Sequence, residues 1–117
     1  MPNRADFENA VGRLLKLAED STKKGNYYNA GFLTDSVSVV GTSCDIILKY
    51  LQDKKYYGGN FDGIYDLIKD IKNALKKFRS LLDINTERNF DKIQSMAVIL
   101  NKKAKELKAK LVQENLL

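Results

Sequence analysis

Apolar residues recur along this chain in alternating steps of three and four, and four separate stretches carry the pattern. The longest unbroken run is Ala30, Leu33, Val37, Val40, Cys44, Ile47 and Leu51. That spacing puts all seven side chains on one narrow stripe of a helix. A narrow stripe marks a helix that packs lengthwise against others. Between the stripe positions stand Gly31, Ser36, Ser38, Gly41, Thr42 and Ser43. Their small size would let neighbouring backbones come close, which places this helix at the centre of a bundle. The segment 36–39 alternates polar and β-branched residues as a strand would, but the stripe continues on both sides of it and predicts helix.

The other three stretches follow the same rule. A first helix is expected from Asn3 or Ala5 to about Lys24, with Phe7, Val11, Leu14 and Ala18 on one face and Ala10, Leu15 and Leu17 widening it. Asp6 and Glu8 at its start and Lys23 and Lys24 at its end suit the helix dipole. Gly25 supplies a left-handed stop and Asn26 the cap of the next helix, so the first two helices run antiparallel. The second helix is expected to end near Leu51, and the stretch 52–60, with its paired glycines, is the clearest loop. A third helix, capped by Asn60 or Asp62, carries Phe61, Ile64, Ile68, Ile71, Leu75, Phe78 and Leu82, flanked by Leu67, Ala74 and Leu81. A break is expected at 83–86, with Asn85 or Thr86 as the following cap. The fourth helix, from about Glu87 to Gln113, carries Phe90, Ile93, Ala97, Leu100, Ala104, Leu107 and Leu111, with Met96 and Ile99 alongside. The tail ends in Leu116 and Leu117, which either pack on the bundle or hang free. Together these predict an all-α fold, an antiparallel up-down-up-down four-helix bundle with shallow left-handed crossings, in one domain spanning 1–117.

Composition sharpens this picture at three points. With 7 Gly and 1 Pro in 117 residues, the chain holds few turns, which favours long helices over many strands. A formal net charge of +5 admits contact with nucleic acid or an acidic partner, although a solvated surface explains such a charge as well. The lone cysteine, Cys44, lies on the apolar stripe with no partner for an internal disulfide. It reads as a small buried hydrophobe in a reducing, cytoplasmic setting. The opening Met-Pro-Asn-Arg-Ala-Asp-Phe carries no apolar run, so no signal peptide is expected, and no stretch is expected to span a membrane.

The chemistry is largely a matter of what is missing. The chain has 0 His, which removes the usual general base and the commonest zinc ligand. Asp62, Asp66 and Asp70 recur at four-residue spacing but fall on the polar side and lack the Glu-x-x-His pairs of a di-metal bundle. Gly58-Gly59 lacks the lysine and strand of a phosphate loop. Neither an enzyme nor a cofactor is expected.

Two surfaces remain as candidates. Tyr56 and Tyr57, after Lys54 and Lys55, could stack on a ligand or simply close the end of the bundle. The lysines Lys102, Lys103, Lys105, Lys108 and Lys110 make the fourth helix strongly basic, in keeping with its dipole or with phosphate contacts. Lys72, Lys76 and Arg79 would join them if the faces align. Arginine, the residue most used for paired base contacts, is scarce beside lysine. Met96, Val98, Ile99 and Val112 lie off the main seam. The expected function is therefore a module that binds another protein or itself, in the latter case as a homodimer, in a groove beside helices 3 and 4 with Tyr56 and Tyr57 at its mouth, Met96 and Ile99 within it and the lysines around it. The alternative is a basic accessory protein that holds RNA or DNA by its phosphates.

The corner Gly25-Asn26-Tyr27-Tyr28-Asn29-Ala30, preceded by Ala18, resembles the Gly-x-Tyr-x-x-Ala hairpin of microtubule-interacting-and-trafficking domains and of tetratricopeptide repeats. The likeness covers residues 10–51. It implies that Tyr27 and Ala30 set the packing of two antiparallel helices, and that a groove accepts a partner's short helix or tail. Asp35 stands where that family usually has a large residue, and the fourth helix is extra. The same corner is similar to HEPN-type four-helix domains, whose ribonuclease members need a His shortly after an Arg. Here Arg88 is followed by Asn89 and Phe90, so the resemblance implies a pairing or nucleic-acid-binding subunit without that activity.

Overall fold

A computed structural model of the chain describes residues 2–23, 25–26, 29–56, 61–83 and 89–117, with the side chains of 55 and 56 left aside. The described residues form four helices and no strand: α1 (Arg4–Asp20), α2 (Ala30–Tyr56), α3 (Asp62–Leu82) and α4 (Phe90–Gln113). α1 packs on α2 and α4, and α3 packs on the same two, so the main contacts close a ring. The result is a rod of 48 × 22 × 20 Å. α2 has two neighbours like every other helix, so the expectation of a central α2 does not hold.

The stripes form the core. Phe7, Val11, Leu14 and Ala18 of α1 meet Leu33, Val37, Val40, Cys44, Ile47 and Leu51 of α2, Ile64 to Phe78 of α3 and Ile93 to Leu111 of α4, all buried. Ala30, expected on the stripe, is exposed, because it is the first residue of its helix and lies beyond the reach of the neighbours. Ser36, Ser43 and Tyr50 form a second buried row on α2, spaced by sevens. Tyr50 stacks on Phe7 with ring centroids 4.3 Å apart and planes at 15°, so this row faces α1. Small residues thus do line a helix contact, but they are the serines. A Cβ added at Gly31 would meet only the Asn29 side chain at 3.5 Å, and one at Gly41 would meet nothing within 4 Å.

The helix ends show where local chemistry overruled the expected boundaries. α1 starts with a reciprocal capping box: the Asp6 N–H donates to Asn3 Oδ1 at 2.8 Å, and the Asn3 N–H donates to Asp6 Oδ2 at 3.0 Å. It stops at Asp20, four residues before Lys24, because the Ser21 and Thr22 hydroxyls donate to the carbonyls of Leu17 and Glu19. Gly25 has the expected left-handed backbone, with φ 98°. Asn26 does not cap α2. Its amide donates to the Asp20 carbonyl at 2.8 Å, while Asn29 accepts from the Phe32 N–H at 3.0 Å and is the cap.

α2 runs to Tyr56 rather than Leu51, since nothing between the two breaks a helix and the Lys54 ammonium lies 5.6 Å from the Tyr50 ring. Its Ala30–Lys54 portion reaches a mean hydropathy of 1.3 with 39% of that window buried. By length and composition this segment could cross a membrane, which corrects the expectation that no stretch was long and apolar enough. A core helix of a bundle meets the same criterion.

Phe61, not Asn60 or Asp62, precedes α3, and it offers no side-chain cap. α3 and α4 are two elements, α3 ending at Leu82 and α4 described from Phe90, while the expected start at Glu87 lies outside the described residues. Asn60, Asn85 and Thr86 lie outside the described residues. The tail packs: the Leu116 N–H donates to the Leu111 carbonyl at 2.8 Å and the Asn115 N–H to that of Val112 at 3.0 Å, with Asn115 at φ 60°. This left-handed cap turns the chain back and buries Leu116.

Candidate functional site

The α3/α4 contact carries a flank of its own beside the core. On α3 the flank is Gly63, Leu67, Asp70, Ala74, Lys77 and Leu81, the row next to the buried stripe. On α4 it is Lys92, Met96, Ile99, Lys103 and Lys110. Three contacts fix how they face. The Lys110 ammonium lies 3.2 Å from where a Cβ on Gly63 would sit, Lys103 Nζ lies 3.8 Å from Asp70 Oδ2, and Lys77 and Leu81 share a groove with Lys92 and Met96.

That groove, of about 550 Å³, is lined by Lys77, Ser80, Leu81, Asp91, Lys92, Ser95 and Met96. Leu81 and Met96 are half-buried and pack against the core, while the charged residues and serines are exposed. Short serines on both helices leave the floor uncovered. Ile99, 42% exposed, lies one turn further along, at the level of Ala74.

The residues singled out from the sequence are therefore only partly brought together. Met96 forms the floor and Ile99 adjoins it. Tyr56 closes α2, its side chain and Tyr57 lie outside the description, and the groove lies about 22 Å along α3 from that helix's start. Tyr56 is thus not placed at the groove's mouth. Lys103 is engaged with Asp70, and Lys110 lies over Gly63 at the far end of the pair. Lys102, Lys105 and Lys108 are exposed elsewhere on α4, and the five lysines fan over roughly 220° of the helix surface.

Lys72, Lys76 and Arg79 do not extend that cluster. They lie on the α2 side of α3, around a smaller trough of about 170 Å³ with Val37, Gly41 and Leu75. Lys77, Leu81 and Lys92 were missed as site residues. Pairing the seven-residue rows Leu67–Ala74–Leu81 and Lys92–Ile99 across the two helices would have found them.

Neither Cys44 nor Asp62, Asp66 and Asp70 lines the groove. Cys44 is buried, and burial pushes its thiol from the usual 9.0 up to about 12, with Lys72 lowering it less. A thiol held protonated is a poor nucleophile and a poor metal ligand. Among the described residues no three acidic or thiol groups converge on a point, and Asp62, Asp66 and Asp70 are exposed. Comparison with protein-family models, with curated proteins and with solved structures finds no match.

Proposed function

We propose that this chain is a non-enzymatic helical-bundle module that binds another protein, or a second copy of itself, through the α3/α4 groove. The observation that carries the reading is the floor of Leu81 and Met96, half-buried, next to exposed Ile99 and left uncovered by the described residues. Seating one partner leucine or phenylalanine there removes apolar surface from water on both sides, a gain of about 1.5–3 kcal/mol for the anchor. Lys77 and Lys92 on the rim favour a partner with carboxylates flanking that anchor.

The reading takes the helices to run up-down-up-down. Phe7 on Tyr50, Asp45 beside Lys72, Asp70 beside Lys103 and Gly63 beside Lys110 support this, since each pairs the early part of one helix with the later part of its neighbour or two mid-helix positions. A bundle so arranged presents the groove on rigid elements. The buried, protonated thiol suits a reducing compartment such as the cytoplasm.

Light scattering after size exclusion, over a wide concentration range, tests self-association, and pull-downs with the intact chain test another partner. The expected result is an assembly that Met96→Asp weakens at least about tenfold while the helical signal is kept, since loss of one anchor is worth upwards of 1.4 kcal/mol. A strict monomer at high concentration, with no partner whose capture depends on Met96, overturns the reading.

A further inference from the structure

We infer that the trough between α2 and α3 binds a small phosphate-bearing anion through Lys76, Arg79 and Lys72. The three cations stand four and three residues apart on one side of α3, and like charges so spaced repel each other. The helix dipole accounts for Arg79, in the last turn, but not for the two before it. Among the described residues the lining of the trough holds no carboxylate, and Asp45 of α2, outside the lining, pairs with Lys72. Beyond Asp45 the facing residue of α2 in the lining is Gly41, so Lys76 and Arg79 meet no counter-charge there. Neither makes an ion pair among the described residues, and Asp83, one turn past Arg79, joins neither.

The space has the dimensions of a ligand group. Gly41 leaves its side of the trough empty to at least 4 Å, and buried Val37 and Leu75 form an apolar floor. An anion seated on that floor loses part of the water that would screen it, which strengthens its attraction to the two free cations. A volume of about 170 Å³ holds one or two phosphate groups, not a helix. Arg79 supplies a planar fork for two phosphate oxygens and Lys76 a point charge. The site lies apart from the α3/α4 groove, and its occupancy does not depend on what that groove binds.

The probe is inorganic pyrophosphate, titrated into the whole protein at low salt and followed by backbone amide NMR. Saturable shifts are expected around 37–45 and 72–79. Lys76→Ala and Arg79→Ala should each weaken binding about tenfold, the worth of one charge-assisted contact. Asp45→Asn, which frees Lys72, should tighten it, a gain that a purely structural role for these residues would not produce. Gly41→Leu keeps every charge and fills the trough, so it should also weaken binding, with its melting curve showing that it folds. Met96→Asp should leave binding unchanged. A nucleoside diphosphate that binds more tightly than pyrophosphate at the same residues supports the site and shows that the attached group contributes. The inference is overturned by the absence of saturation, by equal shifts with chloride, or by a short oligonucleotide binding these residues when pyrophosphate does not.

Discussion

The two ends of the α3/α4 pair are built from the same helices, yet their flanks differ in how much space they leave: about 120 Å³ beside Gly63 and Lys110, about 550 Å³ beside Leu81 and Met96. At the tight end Ile64 and Ile68 of α3 and Leu107 and Leu111 of α4 are buried, Phe61 enters from the loop side, and the left-handed turn at Asn115 brings Leu116 into the core. At the open end Leu81 and Met96 are only half covered, and Ser80 and Ser95 stand where longer side chains would close the gap. Core stripes decide which helices pair.

The largest expected contrast comes from truncating one side chain at each end. Leu107→Ala at the tight end should cost about 2–5 kcal/mol, since its side chain is fully enclosed. Met96→Ala at the open end should cost about 1 kcal/mol, because less of it leaves water. Urea unfolding of both variants measures the difference, and equal costs would break the distinction.

Halfway between the ends, Cys44 tests whether the middle of the bundle is as dry as its tight end. Its folded pKa is raised, so above about pH 9 the unfolded chain ionises the thiol while the folded chain keeps it protonated. This group therefore makes stability fall by up to about 1.4 kcal/mol per pH unit between 9 and 12. Cys44→Ala should flatten that part of the stability profile. An unchanged alkaline slope, or rapid alkylation of the native protein at pH 8, would mean that water reaches the thiol.

The tight end itself can be loosened. Asn115→Val puts a β-branched residue at φ 60° and should cost about 1–2 kcal/mol, while Asn115→Gly should be neutral or slightly stabilising. The smallest effect is expected away from both ends, at Gly41, where an added Cβ meets nothing. Gly41→Ala should stabilise α2 by about 0.5–1 kcal/mol, readable as a raised melting temperature.

Much of this fold was legible from periodicity alone. Six of the seven residues on the α2 stripe are buried, and so are the stripes of the other three helices except at Leu82 and Phe90, which are half-buried. The alternation of threes and fours works because burial along a helix is set by geometry, with little room for local exceptions. The ends were less legible. Asn26 and Asn29 are equally good caps by residue type, and only the fold decided that Asn26 would turn back to Asp20. Gly41 suggested a close helix contact, whereas the buried serines 36 and 43 make one. A small residue leaves room without saying whether a neighbour uses it. A trough does lie between the two helices named from the sequence, but its place along them depends on how α3 and α4 register, which the apolar pattern does not give.

Native-state hydrogen exchange tests the contrast between the ends most directly, since it reads opening free energy residue by residue. The structure predicts that amides at 64–71 and 104–111 exchange only through global unfolding, while those at 77–81 and 93–96 exchange through openings at least about 1 kcal/mol easier. Uniform protection along both helices, or slower exchange beside Met96 than beside Leu107, would contradict it.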